Sequence, residues 1–184
     1  MMTDAILLHE LVSNATHRDS DAVAVTDGKK SLTYACLQAA ITGFSNGLLS
    51  LGLQRGERVA IYLEKRFETV IASFGAPAAG GVFVPLNPLL KSDQVSYILR
   101  DCNVRVLITS RDRLALLQET LLTCHDLRHV VVLDSGECAP LFGGLNTVRW
   151  CDLLDAPPST AHRVIDTDMV GILYTSGSTG KPKG

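Results

Sequence analysis

"RVAIYLEKRFETVIASFGAPAAGGVFVPL", residues Arg58–Leu86, decides the fold. The stretch opens with RVAIYL and closes with GVFVPL, two short runs rich in β-branched and aromatic side chains that read as strands. Between them, Phe67 to Ala79 has the length and apolar content of a buried helix. Strand, helix and strand at this spacing form a βαβ unit, with parallel strands and a right-handed crossover. A bilayer span is the competing reading, because Thr69 to Leu90 carries no charge over a sufficient length. Pro77, Pro85 and Pro88, with Gly75, Gly80 and Gly81, would break such a helix repeatedly, whereas a helix that hands over to a strand needs those breaks.

The alternation continues downstream. Ser92 to Asp101 and Asp112 to Cys124 read as helices, and Arg105 to Thr109 and Val130 to Leu133 as strands. The expected fold class is therefore α/β, a layered fold with a mostly parallel sheet covered by helices. Upstream, Asp27-Gly28 separates two β-prone runs and predicts a hairpin. Thr33 is placed to cap a helix reaching about Leu51, with Leu37, Ala40, Ile41, Phe44, Leu48 and Leu49 on one face and Gly52 as its stop. Ile6 to His17 is expected as an amphipathic first helix, with Leu7, Leu8, Leu11 and Val12 inward and Thr3 or Asp4 as cap. Beyond Leu133 the pattern weakens. Residues 156–165, around Pro157-Pro158, read as a surface linker, and Met169 to Tyr174 as a buried apolar strand.

Hydrophobic residues make up 46% of the 184 and charged ones 20%, which suits a packed globular body rather than a disordered chain. A net charge of -2 without a dense Lys/Arg run argues against nucleic acid as a partner. The five cysteines, Cys36, Cys102, Cys124, Cys138 and Cys151, are odd in number and never spaced C-x-x-C. Neither a disulfide framework nor a zinc site follows, and a reducing cytoplasm fits best. No basic region precedes the apolar start, so a signal peptide is not expected.

The chemistry concentrates in ILYTSGSTGKPKG, Ile172–Gly184. A predicted strand runs directly into hydroxyls, glycines and two lysines. Glycine lets backbone N–H groups approach a ligand, and hydroxyl and ammonium groups donate to oxyanions, so the loop suits a polyphosphate. A flexible linker has similar composition, but a linker seldom follows a buried strand so abruptly. The P-loop of kinases and GTPases is excluded: only two residues separate Gly177 from Gly180, and Lys181 is followed by Pro182 rather than Ser or Thr. The dinucleotide fingerprint fails as well, since Gly177, Gly180 and Gly184 are spaced G-x-x-G-x-x-x-G.

YTSGSTGKPKG resembles the phosphate-binding signature of the AMP-forming, adenylate-forming enzymes: acyl-CoA synthetases, luciferases and peptide-synthetase adenylation domains. LTYACL, GLQRGERVAIYLEK, FGAPAAGGVFVPLNPLL and YILRDCNVRVLIT resemble the N-terminal half of that family in the same order, so the likeness covers nearly the whole chain. Asn87 stands where peptide-synthetase domains typically have Asp, and the run from VFVPLNPLL to VLITS is closer to acyl-CoA ligases. YLEKRFETV and DCNVRVL are similar to ligases associated with exosortase A systems.

The resemblance implies activation of a carboxylic acid by ATP as acyl-AMP, with magnesium, followed by transfer to the thiol of coenzyme A. A carrier-protein thiol is the alternative acceptor. It further implies that Thr175, Ser176, Gly177, Ser178, Thr179, Gly180 and Lys183 cradle the β- and γ-phosphates. Lys183 is favoured over Lys181 because the family pattern fixes the lysine of P-K-G. Family members are several times longer, so residues 1–184 are expected to be an incomplete N-terminal part of the AMP-binding domain. Residues 169–184 would be its strand and phosphate loop, and the C-terminal domain and groups that align acid and α-phosphorus would lie elsewhere. Such a part alone is expected to be inactive. Without the resemblance, a short nucleotide-binding module and a non-catalytic interaction protein stay open.

Three other constellations carry less. His125 and His129 have the spacing of a zinc helix but lack its Glu, and they fall where a helix gives way to a strand. Ser178 lacks the G-x-S-x-G setting of a hydrolase nucleophile. Asp166 and Asp168 precede the last strand and read as polar boundary residues.

Overall fold

In the computed structural model the described residues are 5–133, 145–175 and 183–184. The chain begins with α1 (Glu10–Arg18), the hairpin strands β1 (Val23–Asp27) and β2 (Lys30–Thr33), and α2 (Tyr34–Ser50). Then follow β3 (Arg58–Tyr62), α3 (Phe67–Ala78), β4 (Val82–Pro85), α4 (Ser92–Asp101), β5 (Val104–Thr109), α5 (Arg111–Leu121) and β6 (His129–Val132). β7 (Asn146–Arg149) and α6 (Trp150–Leu154) complete the order.

The fold is α/β, as expected. A five-stranded sheet runs β4-β3-β5-β6-β7, and every pairing in it is parallel. Arg58–Leu86 forms the βαβ unit at its heart, with Val59 opposite Phe83 and Ala60 opposite Val84. Successive side chains of a strand point to opposite faces, and β3 divides accordingly. Val59 and Ile61 pack with α2, α3 and α6, while Ala60 and Tyr62 pack with α4 and α5. The uncharged stretch from Thr69 is thus a buried helix followed by a buried strand. Among the described residues no helix is long and apolar enough to cross a membrane.

Local chemistry accounts for the element ends. Thr33 caps α2 by accepting from the Cys36 N–H at 3.3 Å, and Gly52 ends the following turn at φ +81°. Gly28, at φ +58°, occupies the first central position of the hairpin turn, where that sign of φ is required. Ser110 caps α5 through the Arg113 N–H. Asn103 takes φ +49° just beyond α4, in the left-handed conformation that Asn tolerates at such ends.

The structure departs from these expectations, or adds to them, in four respects, of which the first is the bounds of α1 and α5. α1 starts at Glu10, not Ile6, and residues 1–4, with the expected caps Thr3 and Asp4, lie outside the described residues. Glu10 reaches back to accept from the N–H groups of Ile6 and Leu7, which holds the approach in a non-helical turn. The buried face is Val12 and Ala15, and Leu11 is exposed. α5 is shorter than expected, ending at Leu121 because Thr123 and Cys124 close turns rather than continue the helix.

Second, β7 and α6 were not anticipated. β7 joins the sheet edge through four partners from His129 to Val132, and α6 follows at once. The Trp150 ring lies 5.1 Å from that of Phe44, and both are buried. α6 approaches α2 closely where Gly43 and Gly47 stand one turn apart. A Cβ at Gly43 would lie 2.8 Å from the Leu154 carbonyl oxygen, and one at Gly47 would overlap the Leu153 carbonyl.

Third, residues 156–165 form no regular element, but they are tied down. His162 Nε2 donates to the Leu53 carbonyl at 2.8 Å, and the Ser159 N–H donates to Asn46 Oδ1 at 3.3 Å. Fourth, Met169 to Tyr174 is not a buried strand. Met169 and Leu173 are exposed, and only an isolated bridge joins Gly171 to Phe83 of β4. The Phe83 N–H donates to Val170 O and the Ile172 N–H to Phe83 O, both at 3.0 Å. The next outward-facing donor on β4 would be residue 85, which is proline and has no N–H. The ladder stops there.

The α2–α6 contact yields a stability prediction. Gly47→Ala forces the two helices apart and should cost about 1–3 kcal/mol, as overpacking of a close contact does. Urea unfolding of the variant beside the wild type would check it, and an unchanged midpoint would refute the close approach.

Candidate functional site

The last described segment is built onto the amino ends of the central strands. Asp168 opens it. The Arg55 guanidinium donates through Nε to Oδ2 at 3.0 Å and through Nη2 to Oδ1 at 2.5 Å, and the Ile165 N–H donates to the same carboxylate at 3.1 Å. The hydrogen bond from Arg55 is the main cause holding Asp168 below the usual carboxylate range. Asp168 is therefore a structural anchor, in keeping with a boundary role.

Gly171 then crosses the Phe83 ring, where a Cβ would come within 2.9 Å of ring carbons. Tyr174 turns its side chain under the end of α4. Its phenol donates to Asp101 Oδ2 and lies 3.2 Å from Cys102 Sγ. Burial, and next the bond to Asp101, raise the phenol well above its ordinary pKa, so it stays protonated and donating.

Thr175 and Lys183 meet directly beyond it. The Thr175 N–H donates to Lys183 O at 2.8 Å and the Lys183 N–H donates to Thr175 O at 3.0 Å, an antiparallel bridge. Both side chains are on exposed residues. Gly184 packs on the Tyr174 ring, its would-be Cβ 2.7 Å from Cε2. The structure thus brings together the first and last of the sequence-predicted phosphate contacts, Thr175 and Lys183. Ser176, Gly177, Ser178, Thr179 and Gly180 lie outside the described residues, as does Lys181.

An open cavity of about 850 Å³ adjoins this bridge, with Arg55, Arg58, Asp101, Cys102, Tyr174 and Gly184 among its walls. Arg58 is committed to the backbone. Its guanidinium donates to the carbonyls of Cys102, Asn103 (3.0 Å) and Gly56 (3.2 Å), so it ties β3 to the end of α4. Arg105 pairs with Glu57 at 3.0 Å and with Asp126. Among the described residues, no group of three or more His, Cys, Asp or Glu side chains could hold a metal ion. His129 faces Asn146 at 3.2 Å, and burial lowers its pKa.

At the carboxyl ends of the strands, Arg113 lies 4.6 Å from the Tyr62 ring centre and donates to Glu64 (3.0 Å from Nε) and to Pro88 O at 2.7 Å. The Tyr62 hydroxyl donates to Leu90 O at 2.8 Å. Asn87 is exposed, and its side-chain oxygen accepts from the Leu89 N–H at 2.9 Å, a turn-closing bond that an Asp could equally make.

Sequence reasoning missed Arg55, Asp101 and Cys102. Nothing local signals them, because their partners, Asp168 for Arg55 and Tyr174 for the other two, are 72 to 113 residues away in the chain.

Known proteins resemble this chain over nearly its whole length. The family model described as "AMP-binding enzyme" matches residues 12–184. Malpinin synthetase of Mortierella alpina is 32% identical over 181 residues, covering 98% of this chain and 2% of that protein. Phosphinothricin tripeptide synthetase PhsB of Streptomyces viridochromogenes is 35% identical, covering 98% of this chain and 14% of its own. The crystal structure of the anthranilate CoA ligase AuaEII with anthranoyl-AMP superposes with a TM-score of 0.85 at 29% identity, over 97% of this chain and 34% of that one. The chain therefore spans well under half the length of these relatives.

The environment of the thiols gives a direct check. Cys36 and Cys151 are exposed, whereas Cys102 and Cys124 are buried and burial pushes both thiols up. Alkylation by iodoacetamide at neutral pH should label Cys36 and Cys151 at least about tenfold faster than Cys102 and Cys124. Peptide mapping by mass spectrometry reads this, and fast labelling of Cys102 would contradict its contact with Tyr174.

Proposed function

The chain belongs to the AMP-binding enzyme family, and from that premise we propose that it supplies the polyphosphate-binding part of an ATP-dependent acyl-CoA ligase. The observation that carries the reading is the Thr175–Lys183 bridge, which closes TSGSTGKPK on itself directly after the segment attached to β4. In this reading the hydroxyls and backbone N–H groups of Thr175, Ser176, Gly177, Ser178, Thr179 and Gly180 face the β- and γ-phosphates. Lys183 neutralises their charge.

Two balanced steps follow. A carboxylate oxygen of the acid attacks the α-phosphorus of ATP, the bond from that phosphorus to the β-bridging oxygen breaks, and pyrophosphate leaves. The coenzyme A thiolate then attacks the acyl carbonyl and AMP leaves with the electron pair of the acyl–oxygen bond. The residues of this chain hold the leaving pyrophosphate in place and offset the charge it develops. Magnesium, when bound with ATP, would offset part of the same phosphate charge.

Support for coenzyme A as acceptor comes from the acyl-CoA-ligase-like run around Asn87 and from the likeness to an anthranilate CoA ligase. The second reading, transfer to a carrier-protein thiol, is favoured by peptide-synthetase relatives such as PhsB. Thioester formation assayed with free coenzyme A and with a phosphopantetheinylated carrier protein separates them. Four described cysteines, Cys36, Cys102, Cys124 and Cys151, are free thiols, which supports a cytoplasmic setting for the same reading.

In the full-length protein, Lys183→Ala should slow acid-dependent exchange of labelled pyrophosphate into ATP by about 100-fold, the scale of removing one preorganised charge-stabilising donor. Lys181→Ala should stay within about fivefold of wild type, because the family pattern leaves the position before the proline variable and such a charge is expected to contribute little. Equal losses would overturn the role given to Lys183, and absence of acid-dependent exchange in the wild type, over fatty, aromatic and amino acids, would overturn the ligase reading.

A further inference from the structure

We infer that Tyr174 and Asp101 are positioning residues for the phosphate loop: the Tyr174–Asp101 hydrogen bond docks the Thr175–Lys183 bridge against the end of α4 and so sets where Lys183 stands. The inference rests on the ligase reading for its kinetic consequence but on geometry for its substance. Two separate contacts meet on the Tyr174 side chain. Its hydroxyl bonds Asp101 and Cys102, and its ring packs on Gly184, the residue after Lys183. The backbone on either side of that ring carries the bridge itself, with Thr175 next to Tyr174 and Lys183 next to Gly184. The ring is thus clamped between the base of the loop and a rigid helix.

The identity of Asp101 supports the same role. It is the last residue of α4, where the partial negative charge of the helix end disfavours a carboxylate. Local helix stability is therefore no reason for an acid at this position. A half-buried phenol donating to it is a reason, because a hydroxyl donating to a charged group is among the stronger hydrogen bonds. Beyond Asp101, the Arg58 guanidinium grips the carbonyls of Cys102 and Asn103, so the acceptor stands on a braced turn rather than a frayed one. The path from β3 through Arg58 to the end of α4, and through Tyr174 to Lys183, consists of direct contacts.

The full-length protein with Tyr174→Phe tests this, since the ring that packs on Gly184 and the core is kept and only the hydrogen bonds are lost. KM for ATP should rise about tenfold, the scale of losing one hydrogen bond to a charged acceptor, while KM for the acid is unchanged. Asp101→Ala should show the same split. In a Lys183→Ala background, Tyr174→Phe should add less than about twofold, because a residue that acts through Lys183 has nothing left to position. Amide hydrogen exchange at Thr175 and Lys183 should quicken in Tyr174→Phe. Equal changes in both KM values, full additivity with Lys183→Ala, or unchanged exchange at the two amides would each overturn the inference. A wild-type protein without acid-dependent pyrophosphate exchange would sink the ligase reading, and the amide measurement would then decide the anchor on its own.

Discussion

β3 is buried on both faces and hydrogen-bonded along both edges, and the rest of the molecule is arranged around that constraint. Val59, Ala60, Ile61 and Tyr62 are all nearly inaccessible to solvent. A strand in that position has no water to satisfy its backbone, so β4 and β5 must pair with it on either side. Its alternate side chains also need cover above and below, which brings α2 and α3 to one face and α4 and α5 to the other. Burial of one large apolar side chain in such a core contributes about 1.5–3 kcal/mol. Phe44, wholly inaccessible and packed against Trp150, is one of those on the α2 side.

Polar groups at the amino ends of the strands then do a different job, fixing the elements relative to one another. Arg58 is bonded to the turn after α4, Arg105 to Glu57 and Asp126, and Arg55 to Asp168. The register of β3 against β5 shifts at this end, where Arg58 pairs with Val104 but Val59 with Val106. That shift leaves Arg105 as the extra residue, and its guanidinium reaches the two carboxylates. Partly exposed pairs such as Arg55–Asp168 contribute little to stability, and screening reduces them further. Their importance lies in geometry: they determine how the segment from Asp168 to Thr175 meets the sheet.

That segment is where backbone chemistry shapes the candidate site. β4 offers the outer edge of the sheet, and Phe83 uses both its N–H and its carbonyl to hold Val170 and Ile172. Pro85 cannot donate, so the chain leaves the edge after Ile172 and Tyr174 is free to reach α4. A regular sixth strand would have carried Tyr174 along β4. The departure instead places the Thr175–Lys183 bridge beside the ends of α4 and β3, with the Tyr174 ring as its support.

The sequence by itself determined the fold class, the order of elements from the hairpin to β6, and the family, because those rest on local patterns. Alternating β-prone runs and helices, a Thr cap before α2 and an Asp-Gly turn are written within a few residues of where they act. The phosphate-loop motif is equally local, and Thr175 and Lys183 were named from it. Only the tertiary structure decided the rest. β7 is four residues long with half-exposed side chains, and α6 is a single turn whose meaning comes from Phe44, Gly43 and Gly47 in a distant helix. Met169–Tyr174 is as apolar as a buried strand, but a proline on the neighbouring strand denies it a ladder. Asp101, Cys102 and Arg55 carry no signal of their own, since a carboxylate, a thiol and a guanidinium become supports of a loop only when folding brings a partner some hundred residues away into contact.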